Sequence, residues 1–195
     1  VTQAVLEELL NNERTTYQKN SKVILVFLPG IKEIRKTENE LLTYSLKNTE
    51  VCLLHSSVSL SEQKKIFSPI PKNTNRIIIS SAIAETSLTV PGVTTVIDSG
   101  LSRINRLNIS LGMETLFTEN ESEFSAEQRK GRAGRTQEGR CIRLWNKNEP
   151  RQKSMLPEIL RTDISSLILE CAGWGTIPEN NDDFFLDTPT KAAIK

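Results

Sequence analysis

The chain has 195 residues, 37% apolar and 25% charged, with a formal net charge of +1; this is globular composition, and bulk charge neither demands nor excludes a nucleic-acid partner, so the question becomes one of local clustering. No apolar run approaches the roughly 20 residues of a membrane span, and no signal peptide opens the chain. The cysteines, Cys52, Cys141 and Cys171, lie far apart without C-x-x-C spacing, which argues against a zinc site or disulfide framework and for a reducing, cytoplasmic compartment.

Thr2 opens a first predicted helix with an apolar stripe of Val5, Leu6, Leu9 and Leu10. Asn11 to Lys22 reads as a polar connection. Val23 to Leu28 is a short, β-branched apolar run ending at Pro29-Gly30, which reads as a buried strand. Ile31 to Leu42 has helical spacing. Val51 to Leu54 is a second strand, and Ser59 with Glu62 forms a capping box for a helix reaching Phe67, stopped by Pro69 and Pro71. Arg76–Ser80, Thr94–Asp98 and Ile142–Trp145 complete a set of strands without clean alternation, separated by helical stretches. That pattern predicts a parallel sheet covered on both faces. Between Leu101 and Ser122 polar and apolar residues alternate, as in an inserted antiparallel hairpin. From Glu149 the chain reads as a second, small helical segment, with Asp163 capping a helix that carries Ile164, Leu167, Ile168 and Cys171 and ends at Gly173. The tail from Glu179 to Lys195 cannot form a core alone, and the chain opens on Val1; it reads as a piece of a longer protein.

Two segments carry chemistry. The first is Gln128-Arg129-Lys130-Gly131-Arg132-Ala133-Gly134-Arg135. With Ser125 as cap and Gln128 as its capping-box partner, a helix through it places Gln128, Arg132 and Arg135 on one face. Two guanidiniums and an amide so placed suit a multiply charged anion. A basic, solvated helix surface is the plainer alternative, although two glycines inside a helix cost roughly 1 kcal/mol each. The second segment, Ser80 to Thr89, follows a strand directly and is rich in hydroxyls. It suits phosphate oxygens at the carboxyl end of a parallel sheet, or serves only as a polar strand-to-helix connection. Asp98-Ser99-Gly100 either orients an arginine of the first segment or begins a turn.

In order, Phe27 to Ile34, Glu62 to Phe67, Ser81 to Thr89, Asp98-Ser99-Gly100 and Gln128 to Arg135 resemble the last motifs of superfamily 2 RNA helicases of the DEAH-box branch. Pro157 to Arg161 resembles the opening of that branch's winged-helix domain. Cys171 to Gly175 and Phe185 to Pro189 look most like the bacterial HrpB-type members. The resemblance covers nearly the whole chain. It implies a RecA-like three-layer α/β domain over residues 1–148, with a parallel sheet and an inserted β-hairpin, followed over 149–195 by the start of a winged-helix or helical segment.

Such helicases hydrolyse ATP, with Mg²⁺, between two RecA-like domains. No Gly-Lys-Ser or Gly-Lys-Thr occurs here, so the P-loop and the acidic metal motif are expected from a first domain acting in cis, and nothing is expected to bind this chain tightly or to be turned over by it alone. By resemblance, Gln128, Arg132 and Arg135 face the γ-phosphate, the two arginines as fingers. Arg129 pairs with Glu85 or Asp98. Ser87 and Thr89 face the ribose or metal-bound water, and Phe67 stacks on adenine or, alternatively, fills the core. Gly30 and Ser81 meet the backbone of single-stranded nucleic acid, RNA by the branch resembled. His55 either approaches it or only bonds locally. Arg103 and Arg106 stand at the base of the hairpin, which guides the strand. The chain departs from the family at Ser81-Ala82, where Thr-Asn is usual, and at Pro91, where an acid is common. A phosphate- or nucleic-acid-binding module without turnover is the competing reading. Neither a membrane nor an obligate oligomer is implied.

Overall fold

The computed structural model describes residues 1–15, 21–86, 88–108, 112–135, 138–176 and 185–189, with the backbone alone over 11–15. They form two compact units, one of residues 1–102 and 120–154, the other of 103–119 and 155–195. From the sequence the boundary falls after residue 148; in the structure the hairpin groups with the C-terminal segment instead.

The first unit is built on a five-stranded sheet. In chain order it contains α1 (Thr2–Thr15), β1 (Val23–Phe27), α2 (Ile31–Thr43), β2 (Thr49–Leu54), α3 (Leu60–Lys65), β3 (Asn75–Ser80), α4 (Ile83–Thr86) and β4 (Thr95–Asp98). The hairpin strands β5 (Leu101–Asn108) and β6 (Met113–Asn120) leave it and return before α5 (Glu123–Lys130) and β7 (Arg140–Arg143). The order is β2-β3-β1-β4-β7, and every pair is parallel.

Burial on both faces explains the continuous apolar runs. Ile24 and Val26 of β1 join Ile77, Ile79 and Ile97 in one core, closed by Val5, Ile34 and Leu41 of the helices. Val23, Leu25 and Phe27 alternate into a second core with Ile78, Val96, Ile66 and Ala84. The period of two thus survives as a choice between two buried sides.

Helix α1 runs to Thr15, beyond the predicted stop at Leu10. Once nucleated, a helix gains one bond for each residue it fixes, and this one is anchored through buried Glu8. The Glu8 carboxylate accepts from Lys22 at 2.8 Å, Thr95 Oγ1 at 3.0 Å and Arg140 at 3.3 Å. These partners lie just before β1 and at the amino ends of β4 and β7, so a polar residue ties the helix to the sheet.

In the second unit β5 and β6 pair as the expected hairpin, and α6 (Ser165–Gly173) follows a short 3₁₀ turn at Glu158–Leu160. Leu107 N–H donates to the Arg161 carbonyl at 2.9 Å, and Arg161 donates to the Asn105 carbonyl at 2.8 Å. These bonds are why the hairpin groups with the C-terminal segment. Asp163 Oδ1 accepts from Ser165 N–H at 2.9 Å and from its hydroxyl at 2.6 Å, but the N-cap position of α6 falls on Ile164, one residue after the predicted Asp163.

Candidate functional site

At the carboxyl edge of the sheet, Phe27 pairs in register with both Ser80 and Asp98, and Leu54 with Ser80. The loops that follow carry the residues singled out from the sequence. Gly30 is buried and is the N-cap of α2, in extended backbone rather than a strained conformation. Ser81 is half-buried and donates its N–H to the Leu54 carbonyl at 3.3 Å. His55 Nδ1 accepts from Ser57 N–H at 3.1 Å and lies 2.8 Å from its hydroxyl, in keeping with the local-bonding reading. Phe67 is 44% exposed while neighbouring Ile66 takes the core position, which removes the core alternative for Phe67. The Ser59–Glu62 capping box forms, Ser59 Oγ accepting from Glu62 N–H and lying 2.8 Å from its carboxylate.

The arginine segment differs from its predicted form. Ser122, not Ser125, caps α5, accepting from Ser125 N–H at 3.2 Å. The helix ends at Lys130. Gln128, half-buried, is therefore helical, whereas Arg132 and Arg135 stand in the turn beyond, and the three share no helical face. Gly134 enforces the change with φ +79°, a conformation that favours glycine. A Cβ on Gly139 would lie 2.2 Å from Gly134 N, so the chain passes backbone against backbone on its way to β7.

The turn brings the two segments together. Arg132 is only 8% exposed. It donates to the Leu88 carbonyl at 3.2 Å and to the Glu85 carbonyl, and its Nε is buried without a hydrogen-bond partner. Arg135 is exposed and donates to Thr89 Oγ1 at 3.1 Å and to the Gly131 carbonyl at 3.3 Å. Burial and the charge of Arg135 both disfavour the cationic form of Arg132. Ser87 lies outside the described residues.

Arg129 turns inward, as expected, and engages both candidate partners and more. It meets Asp98 at 2.9 Å, Glu85 at 3.1 Å and Glu121 at 2.6 Å. It also donates to Ser102 Oγ at 2.6 Å and the Leu101 carbonyl at 3.2 Å, with Phe27 5.1 Å beneath the guanidinium. Ser125 donates to Glu85 at 2.7 Å. Burial, reinforced by contact with Asp98, pushes the Glu121 carboxyl up to about 8. Glu121, Ser102 and Arg151 were not recognised from the sequence. Arg151 donates to the carbonyls of Gly100 and Glu121 at 2.7 and 3.2 Å and lies 4.2 Å over Trp145. Gly100, at φ +74°, leaves room for both, since a Cβ there would stand 2.6 Å from the indole.

In the second unit, Arg106 pairs with Glu119 across the hairpin at 2.6 Å, so its charge is locally neutralised. Arg103 is half-buried on β5. Among the described residues no group of His, Cys, Asp and Glu could hold a metal ion, and no helix is long and apolar enough to cross a membrane.

Residues 2–137 match the helicase conserved C-terminal domain. The chain is similar to the ATP-dependent RNA helicase HrpA homolog of Haemophilus influenzae, 39% identical over 193 residues, covering 97% of this chain and 14% of that protein. It is 34% identical over 160 residues to the ATP-dependent RNA helicase HrpB of Escherichia coli, covering 81% of this chain and 20% of that protein. The crystal structure of the E. coli DExH-box NTPase HrpB superposes with a TM-score of 0.83 at 32% identity, covering 98% of this chain and 23% of that one. The chain thus spans less than a quarter of the length of each, and its fold is the RecA-like α/β arrangement of the HrpB helicase domain.

Proposed function

The chain belongs to the helicase conserved C-terminal domain family, in the DEAH-box, HrpA- and HrpB-like group, and from that membership we propose that it is the second RecA-like half of an ATP-dependent RNA helicase. The observation that carries the reading is the docking of the Arg132–Arg135 turn onto the Glu85–Thr89 segment. It presents an exposed guanidinium beside a threonine hydroxyl, with a second guanidinium held behind it by two main-chain carbonyls. That fits a phosphate-bearing nucleotide whose cradle comes from another domain, because Arg135 and Thr89 are accessible.

ATP with Mg²⁺ supplies the terminal phosphoryl group that leaves in hydrolysis; P-loop and acidic motif are absent from these 195 residues. Arg135 stabilises charge that grows on that group, Arg132 fixes the turn and reaches the same region, and Gln128 orients from the end of α5. Thr89 faces the sugar or a metal-bound water, a role the family resemblance also assigns to Ser87, and exposed Phe67 offers a ring for the base. Gly30 and Ser81 lie across the carboxyl edge, where main-chain and hydroxyl groups contact the phosphates of single-stranded RNA. His55 is a weaker member of that surface because its ring is engaged with Ser57. Arg103 and Arg106 belong to the hairpin that guides the strand.

The test is steady-state ATPase kinetics of the full-length protein. Arg135→Ala lowers turnover by about 10³-fold with little change in nucleotide binding, since a finger acts on the transition state. Unchanged turnover with a raised Michaelis constant would mean ground-state binding only. A full-length wild type that binds RNA but turns over no nucleotide would favour the competing reading, a binding module.

A further inference from the structure

Arg129 is one guanidinium facing three carboxyl groups: Glu85 from α4, Asp98 from the end of β4, and Glu121 from the junction of β6 and α5. Asp98 and Glu121 are wholly buried. Fully ionised, the cluster would hold two uncompensated negative charges out of water, an arrangement that proteins relieve by binding a proton. The remaining facing groups supply no second cation. Ser102, Ser125 and the Leu101 carbonyl are neutral. From β7 the Cys141 thiol is pushed up to about 11, by burial and then by Asp98, and is neutral as well. Arg151 is close, but its guanidinium serves carbonyl oxygens and Glu149 rather than the Glu121 carboxyl.

Two buried oxygens leave a place for that proton. Asp98 Oδ2 and Glu121 Oε1 are buried without a hydrogen-bond partner, and the two carboxyl groups converge on one nitrogen, Arg129 Nη1, at 2.9 and 2.6 Å. One proton satisfies both: a carboxylic O–H donates and the neighbouring carboxylate accepts. We propose that Glu121 and Asp98 share one proton in the folded protein, held chiefly by Glu121, and that Glu121 is thereby a positioning residue for the arginine turn. The route is continuous. With Glu121 neutral, Arg129 is free to hold Glu85 through Nε; the main-chain carbonyl of Glu85 in turn receives Arg132. Loss of the proton draws Arg129 toward Asp98 and Glu121 and loosens its hold on Glu85. The elevation of Glu121 to about 8, caused first by burial and next by Asp98, places that loss just above neutrality.

The positioning half rests on the helicase reading above; the shared proton does not. Infrared difference spectra of the full-length protein, wild type minus Glu121→Gln, from about pH 5 to about pH 10, read the carboxylic C=O band directly. The band is expected at neutral pH, and lost with a midpoint near 8. Asp98→Asn, which removes the neighbouring charge, lowers that midpoint toward the ordinary carboxylate range. Absence of the band at neutral pH, or a midpoint that Asp98→Asn does not move, would overturn the shared proton. In parallel, wild-type ATPase turnover falls through the same alkaline transition, while Glu121→Gln, an uncharged donor with no proton to lose, shows a flat alkaline limb. Identical pH–turnover profiles for the two would overturn the positioning role. No ATPase at any pH would sink the helicase reading, and with it the positioning role, while the band still decides the proton.

Discussion

Two arginines three residues apart have different physical situations, and this separates their variants. Arg135 is exposed and bonds to one hydroxyl and one carbonyl. Its replacement by alanine should leave the thermal midpoint of the full-length protein almost unchanged while turnover collapses. Arg132 is buried and satisfies the Glu85 and Leu88 carbonyls. Arg132→Ala leaves both without that donor, so it should cost about 1–3 kcal/mol of stability as well as activity; differential scanning calorimetry beside the kinetics tells the two apart, and an undisturbed midpoint in Arg132→Ala would mean that the carbonyls find other donors. Glu121 sets a pH dependence of the opposite sense to a salt-bridged acid. Its pKa is raised from 4.5 in the unfolded chain to about 8 in the fold. Between those values the folded state binds the extra proton, so the contribution is fully present below 4.5 and declines as pH rises through about 8. Unfolding midpoints of wild type should therefore fall across that window, and those of Glu121→Gln should fall less. A wild-type midpoint that rose there, with no difference from Glu121→Gln, would contradict the assignment.

At the scale of elements, α5 shows what the sequence reveals and where it stops. Ser125, with Gln128 three residues on, carries the pattern of a helix cap before an arginine-rich stretch, yet the cap falls on Ser122. The choice is made by a distant partner: Glu85 takes the Ser125 hydroxyl, which leaves Ser122 to cap. Ser122→Ala should thus destabilise the protein by about 1 kcal/mol, measurable by chemical denaturation, whereas an effect near zero would return the cap to Ser125. The end of the helix was hidden likewise, because Gly131 and Gly134 fit a costly helix as well as a turn, and the positive φ of Gly134 and the close passage of Gly139 emerge only in the fold. The strands were plain, since Val23 to Phe27 or Arg76 to Ser80 must bury on both sides whatever their neighbours. The pairing of the two charged segments was visible as motifs, and the structure adds how they touch. Glu121 gave no signal: it stands in the run Glu119-Asn120-Glu121-Ser122-Glu123, which reads as solvent-facing, and its burial follows from Asp98 and Arg129, contacts that local pattern does not encode.

On the scale of the whole molecule, a formal charge of +1 sets the terms for nucleic-acid binding. The carboxyl edge that carries Gly30 and Ser81 offers main-chain groups and a hydroxyl, not a basic field, and Arg106 is already neutralised by Glu119. Affinity from this chain alone should therefore be weak, and without a P-loop it should turn over no ATP; purified chain whose ATPase rate scaled with its concentration and survived repurification would contradict the second point. In the full-length protein, contacts to phosphates release counterions, so binding to single-stranded RNA should fall steeply with salt and vary little with base sequence. Ser81→Glu isolates the contribution of this edge. A carboxylate placed where the backbone passes repels it at every sequence, so affinity should drop about uniformly, while the stability of the half-exposed loop changes little. Binding isotherms across a salt series, for strands of different sequence, measure both effects. If Ser81→Glu left affinity and salt slope as in wild type, the nucleic acid does not cross the β3–α4 loop. The carboxyl edge would then serve the nucleotide alone.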